Sequence, residues 1–567
     1  MKRDTKRPDR RKRSGKEKEE ISMKVIIIGG VAAGTKTAAK LKREHRDWDV
    51  TILTKGADIS YAGCGLPYFV GNLIHERGQL IVNTPESFSQ LTDVEVQVCT
   101  EVTKVNRNAK TVTATNLETG EEKEYPYDKL VIAVGADPVK PNLPGMDLEG
   151  VFYMRTPSQA AALRDAIERG KVKRAVIVGG GLIGLEVAEN LISQEIRVTI
   201  LDMAPQILPG FDPEMAGYVE DYLAEKGIVT FTNTKLTGLE GANGRVTRVL
   251  TEKKGIKTDA VILSMGIRPN TAFLADTGLE MFKGTLIVDE QMRTNDPDIF
   301  AVGDCAYTRN RQTGEKAWSP MGSSANMEGR VAARVISGEK DAYLGSFGTS
   351  VAMLPGINVG RTGLTETAAR DKGMDVVSVT AALDDKAHYF PGASNFLLKL
   401  VAERGTGRLL GVQVLGSGEV DKVVDICVMA IAMRATLHDM ENLDFAYAPP
   451  FSTAIHPLVA GVNILQNKIS GELDSFTPAE YQAGAAKGYQ VIDVSRSPAI
   501  KGVPYFDVKS IHDGLPGFDK GAKLLLVCTK GRQAYLAQNK LRAAGYTHTK
   551  VLEGGTMFNG DEFPPQL

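Results

Sequence analysis

Short apolar runs of strand length recur along this 567-residue chain, and two of them are followed by a glycine-rich turn and a helical pattern. Residues 24–34 (KVIIIGGVAAG) predict a strand, a tight turn and the start of a helix that runs on through 40–43, and residues 50–53 predict the next strand. The same pattern returns at 174–184 and ends in a strand at 198–202. Two β-α-β units about 150 residues apart are therefore expected, the second inserted into the first.

The second copy carries the full dinucleotide fingerprint, with Gly179, Gly181 and Gly184 in the spacing G-x-G-x-x-G. The first glycine permits a tight turn, the second lets a pyrophosphate approach the backbone, and the third lets the helix pack on the strand. Asp202 ends the following strand, where a carboxylate accepts ribose hydroxyls and repels a 2′-phosphate. The sequence therefore predicts an NADH site that disfavours NADPH.

The first copy is less regular, because Val31 stands where the second glycine usually lies, between Gly29-Gly30 and Ala33-Gly34. A distant element completes it. Residues 294–304 predict a short strand that ends in Gly303-Asp304, and Asp304 is expected to hold a ribityl hydroxyl. This second element is specific for the FAD site of two-dinucleotide flavoproteins, so FAD is the cofactor predicted for the first unit.

A lone cysteine, Cys64, follows the first glycine turn by about thirty residues, in the run SYAGCGLPY at 60–68. Two-electron thiol chemistry normally uses a pair of cysteines. With one sulfur, any disulfide must form with a group outside the motif, so a mixed disulfide or an oxidised sulfur is expected. Backbone N–H groups and the flavin are expected to stabilise the Cys64 thiolate.

With these motifs in place, residues 23 to about 468 resemble the single-cysteine branch of the pyridine nucleotide-disulfide reductase family, and the run 60–68 resembles its coenzyme A-disulfide reductases most closely. Where that family has Asn before the cysteine, this chain has Gly63. The resemblance implies a mixed disulfide between Cys64 and coenzyme A. It also implies a homodimer in which Tyr389 and Tyr447 reach the partner's active sulfur, and it assigns coenzyme A contacts to Arg43, Ser60 and Asn326.

The C-terminal segment predicts a strand at 523–528 that runs into a six-residue loop at Cys528 and a helix at 534–544. Loop amides after a cysteine form a cradle for an anion, here helped by Lys530 and Arg532. This loop resembles the active loop of a rhodanese domain, although Thr529 stands where that family has Arg. Cys528 is therefore expected to carry sulfane sulfur.

Together these patterns predict an α/β chain with two Rossmann-like dinucleotide-binding domains, an α+β dimerisation domain and a C-terminal α/β rhodanese domain. The expected boundaries are a disordered charged tail at 1–22, an FAD-binding domain at 23–135 and 268–345, an NADH-binding domain at 136–267, a dimerisation domain at 346–468 and a rhodanese domain at 475–567.

The overall composition bears on which partners the protein binds and in which cell compartment it is expected. Apolar residues make up 43% and charged residues 24% of the chain, as in ordinary globular proteins. The net charge of -1 gives no general attraction to nucleic acid or anionic membranes, and the chain has no apolar run of about 18 residues. Five scattered cysteines without metal spacing are typical of a reduced, cytoplasmic protein.

The predicted function is NADH-dependent reduction of coenzyme A disulfide, coenzyme A persulfide or polysulfide through FAD and Cys64, with Cys528 handling sulfane sulfur. Two alternatives stay open. One is an NADH oxidase or peroxidase in which Cys64 cycles through sulfenic acid. The other is a sulfurtransferase whose flavin part senses redox state.

Overall fold

The computed structural model describes residues 22–563, so the predicted charged tail lies outside the described residues apart from Ser22. The first stretch begins with β1, an apolar strand with four of its five residues buried. Its elements are β1 (Lys24–Ile28), α1 (Ala32–Glu44), β2 (Asp49–Leu53), α2 (Leu66–Val70), α3 (Pro85–Thr92), β3 (Glu95–Gln97), β4 (Thr100–Asn106), β5 (Thr111–Asn116), β6 (Glu122–Pro126), β7 (Lys129–Ile132) and β8 (Ala136–Pro138).

The second stretch repeats the order strand, glycine turn, helix and strand. Its elements are β9 (Val151–Tyr153), α4 (Pro157–Glu168), β10 (Arg174–Val178), α5 (Leu182–Ile192), β11 (Arg197–Leu201), α6 (Pro213–Glu225), β12 (Val229–Phe231), β13 (Leu236–Ala242), β14 (Arg245–Thr251), β15 (Gly255–Lys257), β16 (Ala260–Leu263) and β17 (Ile267–Pro269). Five of the strands form a parallel sheet in the order β12-β11-β10-β16-β9.

The chain then returns to the first unit through β18 (Met281–Phe282), β19 (Thr285–Ile287), β20 (Ile299–Ala301), β21 (Ala306–Arg309), β22 (Lys316–Ala317) and α7 (Gly322–Ile336). Strand β20 joins the first sheet, whose parallel order is β20-β7-β1-β2-β3. Helix α7 packs closely on α1, where Thr37 Oγ1 donates a 3.2 Å hydrogen bond to the carbonyl of Gly329. The predicted insertion of one β-α-β unit into another is thus present in the sheet topology.

A five-stranded antiparallel sheet follows, with its strands in the order β23-β24-β27-β26-β25. Its stretch contains β23 (Ser350–Leu354), β24 (Ile357–Gly363), α8 (Glu366–Asp371), β25 (Val376–Asp384), β26 (Asn395–Glu403), β27 (Leu409–Gly416), α9 (Val420–Ala432), α10 (Leu437–Glu441) and α11 (Pro457–Ile469). Helices α9 and α11 pack their apolar residues on this sheet and share one hydrophobic core with it.

The last stretch forms a small parallel sheet in the order β28-β31-β30-β29. Its elements are β28 (Ser475–Phe476), α12 (Pro478–Gln482), β29 (Gln490–Asp493), β30 (Leu524–Val527), α13 (Arg532–Ala543), β31 (Thr549–Leu552) and α14 (Gly555–Phe558). Strand β30 is fully buried, as its run of leucines predicts. Within residues 22–563, no helix is long and apolar enough to cross a bilayer.

Candidate active site

The two glycine turns have the same backbone geometry, 150 positions apart. Gly29 and Gly179 both adopt a φ of 115°, and a Cβ at either position would lie within 2.3 Å of a carbonyl oxygen on the neighbouring strand exit. Gly34 and Gly184 lie so close to the carbonyls of Gly29 and Gly179 that a Cβ would approach them to 1.9 and 2.1 Å. Side chains are therefore excluded from these four positions, which leaves the helix N-termini open to a phosphate.

The third positions of the two turns differ. A Cβ on Gly181 would have no atom within 4 Å, so the space above the start of α5 is free for a ligand. Val31 takes the corresponding position at the start of α1. At the end of β11, Asp202 accepts hydrogen bonds from the backbone N–H groups of Gly180 at 2.7 Å and Ala204 at 2.8 Å. The carboxylate is thus fixed over the second turn, where a ribose is expected.

Asp304 lies on a short 3-10 helix directly after β20, beside the first turn. Its Oδ2 accepts a 2.7 Å bond from Arg155 Nη2, which holds the carboxylate in place. The Gly303 N–H donates to Glu328 of α7 at 2.7 Å. Burial raises the pKa of Glu328 to about 8, against the opposing effect of that N–H. Sequence reasoning missed Glu328, which braces the Gly303-Asp304 turn from a helix 25 residues away.

Cys64 lies in an exposed position on a 3-10 turn, Gly63–Gly65, that leads directly into α2. The segment is tied to the first glycine turn, because the Ser60 N–H donates a 2.9 Å bond to the carbonyl of Gly30. Ser60 itself has a left-handed φ of 47°, which is rare for residues other than glycine. The sulfur is therefore positioned next to the FAD-type turn by its own strained loop.

Within the chain, the surroundings of Cys64 favour the thiol over the thiolate. Although the residue as a whole is exposed, partial desolvation of its sulfur raises the pKa of Cys64, and the charges of Glu186 and Asp304 also raise it, while Arg155 opposes them. Burial and these carboxylates act against the thiolate within the chain, and its stabilisation by backbone N–H groups and a bound flavin stays a prediction.

Glu186, on α5, and Tyr68, on α2, are further functional residues that sequence reasoning missed. The Tyr68 hydroxyl donates to Glu186 Oε1 at 3.3 Å, so the helix of the second glycine turn contacts the helix that follows Cys64. Burial raises the pKa of Glu186 to about 7, with the Tyr68 hydrogen bond opposing it. The only sequence signal was a glutamate two positions after Gly184, on a helix that is otherwise apolar there.

Tyr389 and Tyr447, 58 residues apart in sequence, lie together on the surface. The Tyr389 hydroxyl forms a hydrogen bond with Tyr447 and thereby raises the pKa of the Tyr447 hydroxyl. Tyr389 is 67% exposed and Tyr447 is 48% exposed in the single chain. Apolar residues such as Phe451 and Ile455 are also exposed. The structure thus brings the predicted pair together on a face of the antiparallel-sheet unit that a second subunit could cover.

The three residues assigned to coenzyme A are separated. Ser60 lies beside the first glycine turn, and Asn326 is exposed near the start of α7. Arg43 is exposed in the last turn of α1, eleven residues from Ala32 at its start. At 1.5 Å rise per residue it lies about 16 Å along the helix from the turn that holds Ser60. Within one chain, Arg43 is therefore distant from Ser60, and the coenzyme A contacts of all three residues stay predictions.

Cys528 ends the buried strand β30, and its Sγ accepts a 3.2 Å hydrogen bond from the N–H of Gly531. Gly531, with a φ of 90°, precedes α13, so one loop N–H contacts the sulfur close to a helix N-terminus, and the full cradle of loop amides stays a prediction. Arg532 is exposed at the first position of that helix. Lys530 turns instead to the antiparallel sheet, where its ammonium binds Asp384 at 2.6 Å and Asn395 at 2.5 Å. That ion pair competes with the predicted role of Lys530 at the sulfur.

Two nucleotide-binding units that meet at one exposed sulfur define a pyridine nucleotide-dependent flavoprotein oxidoreductase. The chain belongs to the pyridine nucleotide-disulphide oxidoreductase family, whose model matches residues 23–324, and the family's dimerisation domain matches residues 350–459. Members of this family use FAD and NAD(P)H. The open helix N-termini and the excluded Cβ positions at Gly29 and Gly179 fit these two cofactors.

The chain is similar to an NADH oxidase of Methanocaldococcus jannaschii, at 33% identity over 79% of this chain and all of that protein. It is 35% identical to an NAD(P)H coenzyme A polysulfide/persulfide reductase of Pyrococcus horikoshii, over 79% of this chain and 99% of that protein. Among solved structures, an NAD-dependent persulfide reductase from A. fulgidus matches with a TM-score of 0.90 and 34% identity, covering 94% of this chain and all of that one.

Proposed function

We propose that this protein uses NADH and FAD to reduce coenzyme A disulfide, coenzyme A persulfide or a related polysulfide at Cys64. The observation that carries the proposal is the position of Cys64. Its loop is bonded to the first glycine turn through Ser60, and the helix after it is bonded to α5 of the second through Tyr68 and Glu186. A single accessible sulfur between two nucleotide sites suits a substrate that itself supplies the second sulfur.

FAD, when bound, supplies the relay of an electron pair from NADH to sulfur. The chain's own part begins with attack of the Cys64 sulfur on the substrate S–S bond, which forms a mixed disulfide on Cys64 and releases one thiol or hydrogen sulfide. For the disulfide the balance is NADH, one proton and coenzyme A disulfide giving NAD⁺ and two coenzyme A thiols. For the persulfide the products are NAD⁺, one coenzyme A thiol and hydrogen sulfide.

The proposal extends to the C-terminal domain, which we infer to be a rhodanese-type module that passes sulfane sulfur through Cys528. The Gly531 N–H on the sulfur and the adjacent start of α13 favour an anionic persulfide there. The persulfide reductase structure from A. fulgidus supports this, because its match to 94% of this chain reaches beyond the 79% matched by the curated relatives.

The test is anaerobic NADH oxidation by the full-length, FAD-loaded protein with coenzyme A disulfide and coenzyme A persulfide at equal concentration. Cys64→Ser is expected to lower turnover of both by about a hundredfold or more, since serine lacks the sulfur that forms the mixed disulfide. Cys528→Ser should spare the disulfide and impair use of polysulfide. Cys427→Ser, at a buried position of α9, is the matched control. Near wild-type turnover by Cys64→Ser would contradict the proposal.

A second candidate, NADH oxidase activity, is favoured by the similarity to the Methanocaldococcus jannaschii protein of that name. It predicts rapid oxygen consumption with NADH alone, and sulfenic acid on Cys64 during turnover. Oxygen consumption that exceeds the rate with every sulfur substrate would select this function. Sulfur transfer by Cys528 without NADH turnover would instead select a sulfurtransferase.

A further inference from the structure

One face of α5 lies along the helix that follows Cys64. Its residues Glu186 and Asn190 are spaced four apart and therefore share a face, and Gln194 lies in the turn just after the helix. Glu186 accepts from the Tyr68 hydroxyl, and Gln194 Nε2 donates a 2.9 Å bond to the carbonyl of Gly71 at the end of α2. Asn190 lies so close that a Cβ on Gly71 would approach its side-chain oxygen to 2.0 Å. The position of α2 is thus set by the nucleotide-binding helix.

Cys64 and Tyr68 are four residues apart, on a 3-10 turn and a helix that continue into one another. The charges of Cys64, Tyr68 and Glu186 also influence one another's pKa values. Burial first, then the charge and hydrogen bond of Glu186, and then the charge of Cys64 together raise the pKa of Tyr68 to about 12. Glu186 is in turn the first charged group to raise the pKa of Cys64. Tyr68 is therefore hydrogen-bonded to Glu186, and both groups interact with Cys64 by charge.

We propose that Glu186, acting through the Tyr68 hydroxyl, holds the proton that Cys64 gives up when it attacks and returns that proton to the departing sulfur. Glu186 is in this sense a positioning residue for the proton, and the inference rests on the function proposed above. The half-buried carboxyl and the exposed sulfur are the two ends of this path, and Tyr68 joins them.

The step balances without any further reactant. The Cys64 S–H bond breaks, and its proton passes to the Glu186 carboxylate by way of Tyr68. The Cys64 sulfur then forms a bond to one sulfur of the substrate while the substrate S–S bond breaks. The departing thiolate or hydrosulfide takes the proton from Glu186. The substrate disulfide is exchanged for the Cys64 mixed disulfide, and no net oxidation occurs in this step.

The other charged groups near Cys64 and Tyr68 are either paired with an opposite charge or not hydrogen-bonded to the Tyr68 hydroxyl. Asp304 and Arg155 both act on Cys64 but pair with each other at 2.7 Å. Glu189, one turn further along α5, acts on Tyr68 by charge alone. Arg164 reaches α2 from α4, and its guanidinium binds the carbonyl of Phe69 at 3.2 Å on the side of the main chain. Glu186 is therefore the carboxyl that joins both to Tyr68 by a hydrogen bond and to Cys64 by charge.

The test measures the alkylation rate of Cys64 by iodoacetamide between pH 6 and 10, followed by mass spectrometry of the peptide that contains Cys64, in the full-length holoenzyme. Glu186→Gln removes a negative charge near the sulfur, so alkylation at pH 8 should become at least about threefold faster, which corresponds to ~0.5 pKa unit. The same substitution removes the proton holder, so kcat with coenzyme A disulfide should fall at least about tenfold. Alkylation and turnover are thus expected to change in opposite directions.

Two further variants separate the proton role from a packing role. Tyr68→Phe removes the hydrogen bond that keeps the pKa of Glu186 down, so the inflection near pH 7 in the alkylation profile should move upward. Glu189→Gln is the matched control and should change the rate at pH 8 by less than about twofold. A Glu186→Gln profile equal to that of the wild type would overturn the inference, and so would an unchanged kcat.

The outcome is distinguishable from a failure of the proposed function. If Cys64→Ser keeps turnover, the proposed function fails and this inference fails with it. If Cys64 is essential but the Glu186→Gln profile is unchanged, only the assignment of the proton to Glu186 fails.

Discussion

At the scale of single residues, Asp202 shapes the second glycine turn and is predicted to select the nucleotide. Its two oxygens accept the N–H groups of Gly180 and Ala204, so the carboxylate cannot swing away from the second glycine turn. A fixed negative charge at that point repels a 2′-phosphate, whereas it can still accept hydrogen bonds from ribose hydroxyls.

Asp202→Ala is therefore expected to raise KM for NADH about tenfold, since hydrogen bonds to a charged group contribute about 1.5–3 kcal/mol. KM for NADPH should change less, because repulsion is lost together with the hydrogen bonds. Steady-state kinetics with both nucleotides measure the ratio. Asp202→Asn, which keeps the size and removes the charge, is the control, and an unchanged NADH/NADPH ratio in both variants would contradict this role.

Residue-level prediction from sequence was effective where a motif fixes a local geometry. The turns at Gly29 and Gly179 need a left-handed backbone, and Asp202 follows from the length of one helix and strand. Glu186 could not be predicted in the same way. Its importance comes from the Tyr68 hydroxyl, 118 positions earlier in the chain, and no local spacing encodes that contact.

At the scale of elements, a buried ionic cluster joins the second nucleotide unit to the antiparallel sheet. Lys399 of β26 is fully buried and pairs with Asp212 at 3.0 Å and with Glu366 at 2.9 Å. It also pairs with Glu214 in the first turn of α6. Burial opposes the charge on Asp212 and Glu366, yet Lys399 outweighs it and lowers the pKa of each to about 2. The cluster thus fixes α6 and α8 on one strand.

Lys399→Met should lower the free energy of unfolding by about 3–5 kcal/mol, because three carboxylates would be left buried without their cation. Urea or thermal unfolding of the FAD-loaded protein measures the loss. Lys372→Met, at the partly exposed pair with Glu315, is the control and should cost less than about 1 kcal/mol. Equal stability of the two variants would show that the cluster contributes nothing.

The same cluster predicts a specific acid sensitivity. Asp212 and Glu366 have ordinary pKa values of 3.8 and 4.5, and folding lowers both to about 2. Between those values the unfolded chain binds more protons, so their stabilising effect is complete above pH 4.5 and is lost as the pH falls toward 2. The apparent Tm of the wild type should therefore fall more steeply between pH 4.5 and 3 than that of Lys399→Met. Parallel pH profiles would contradict this explanation.

The sequence predicts the buried lysine of this cluster but not its partners. A lysine within the apolar run of β26 is unusual and indicates a buried charge that needs partners. Its partners stand 185, 187 and 33 residues away, on elements whose relative position only the folded chain defines. Strand and helix patterns predict each element, whereas the docking of one unit on another depends on such distant pairs.

At the scale of the whole molecule, the Cys528 domain is anchored to the base of the loop that carries Tyr389. Lys530 binds Asp384 and Asn395, the last residue of β25 and the first of β26, between which that loop runs. Glu553 adds a second anchor, since it accepts from Lys468 at 2.6 Å and from the N–H of Thr380 at 2.8 Å. The Cys528 loop and the Tyr389 loop are thus parts of one structural unit.

The exposed tyrosine pair leads to a prediction about the complete enzyme. We expect a homodimer in which Tyr389 and Tyr447 of one subunit donate hydrogen bonds at Cys64 of the other, because the pair is exposed among apolar side chains in the single chain. In a twofold dimer each active site would then draw on both chains. A protein with Cys64→Ser and a second with Tyr389→Phe and Tyr447→Phe should each have low activity as homodimers, measured as NADH oxidation with coenzyme A disulfide.

When these two proteins are unfolded, mixed in equal amounts and refolded with FAD, half of the dimers should contain one chain of each kind. Such a heterodimer has one site with both substitutions and one site with neither, so about a quarter of the wild-type activity should return if assembly is random. Each variant refolded by itself is the control and should gain nothing. If the tyrosines instead act on Cys64 of their own chain, every site in the mixture still contains one of the substitutions, and activity stays at the level of the separate variants.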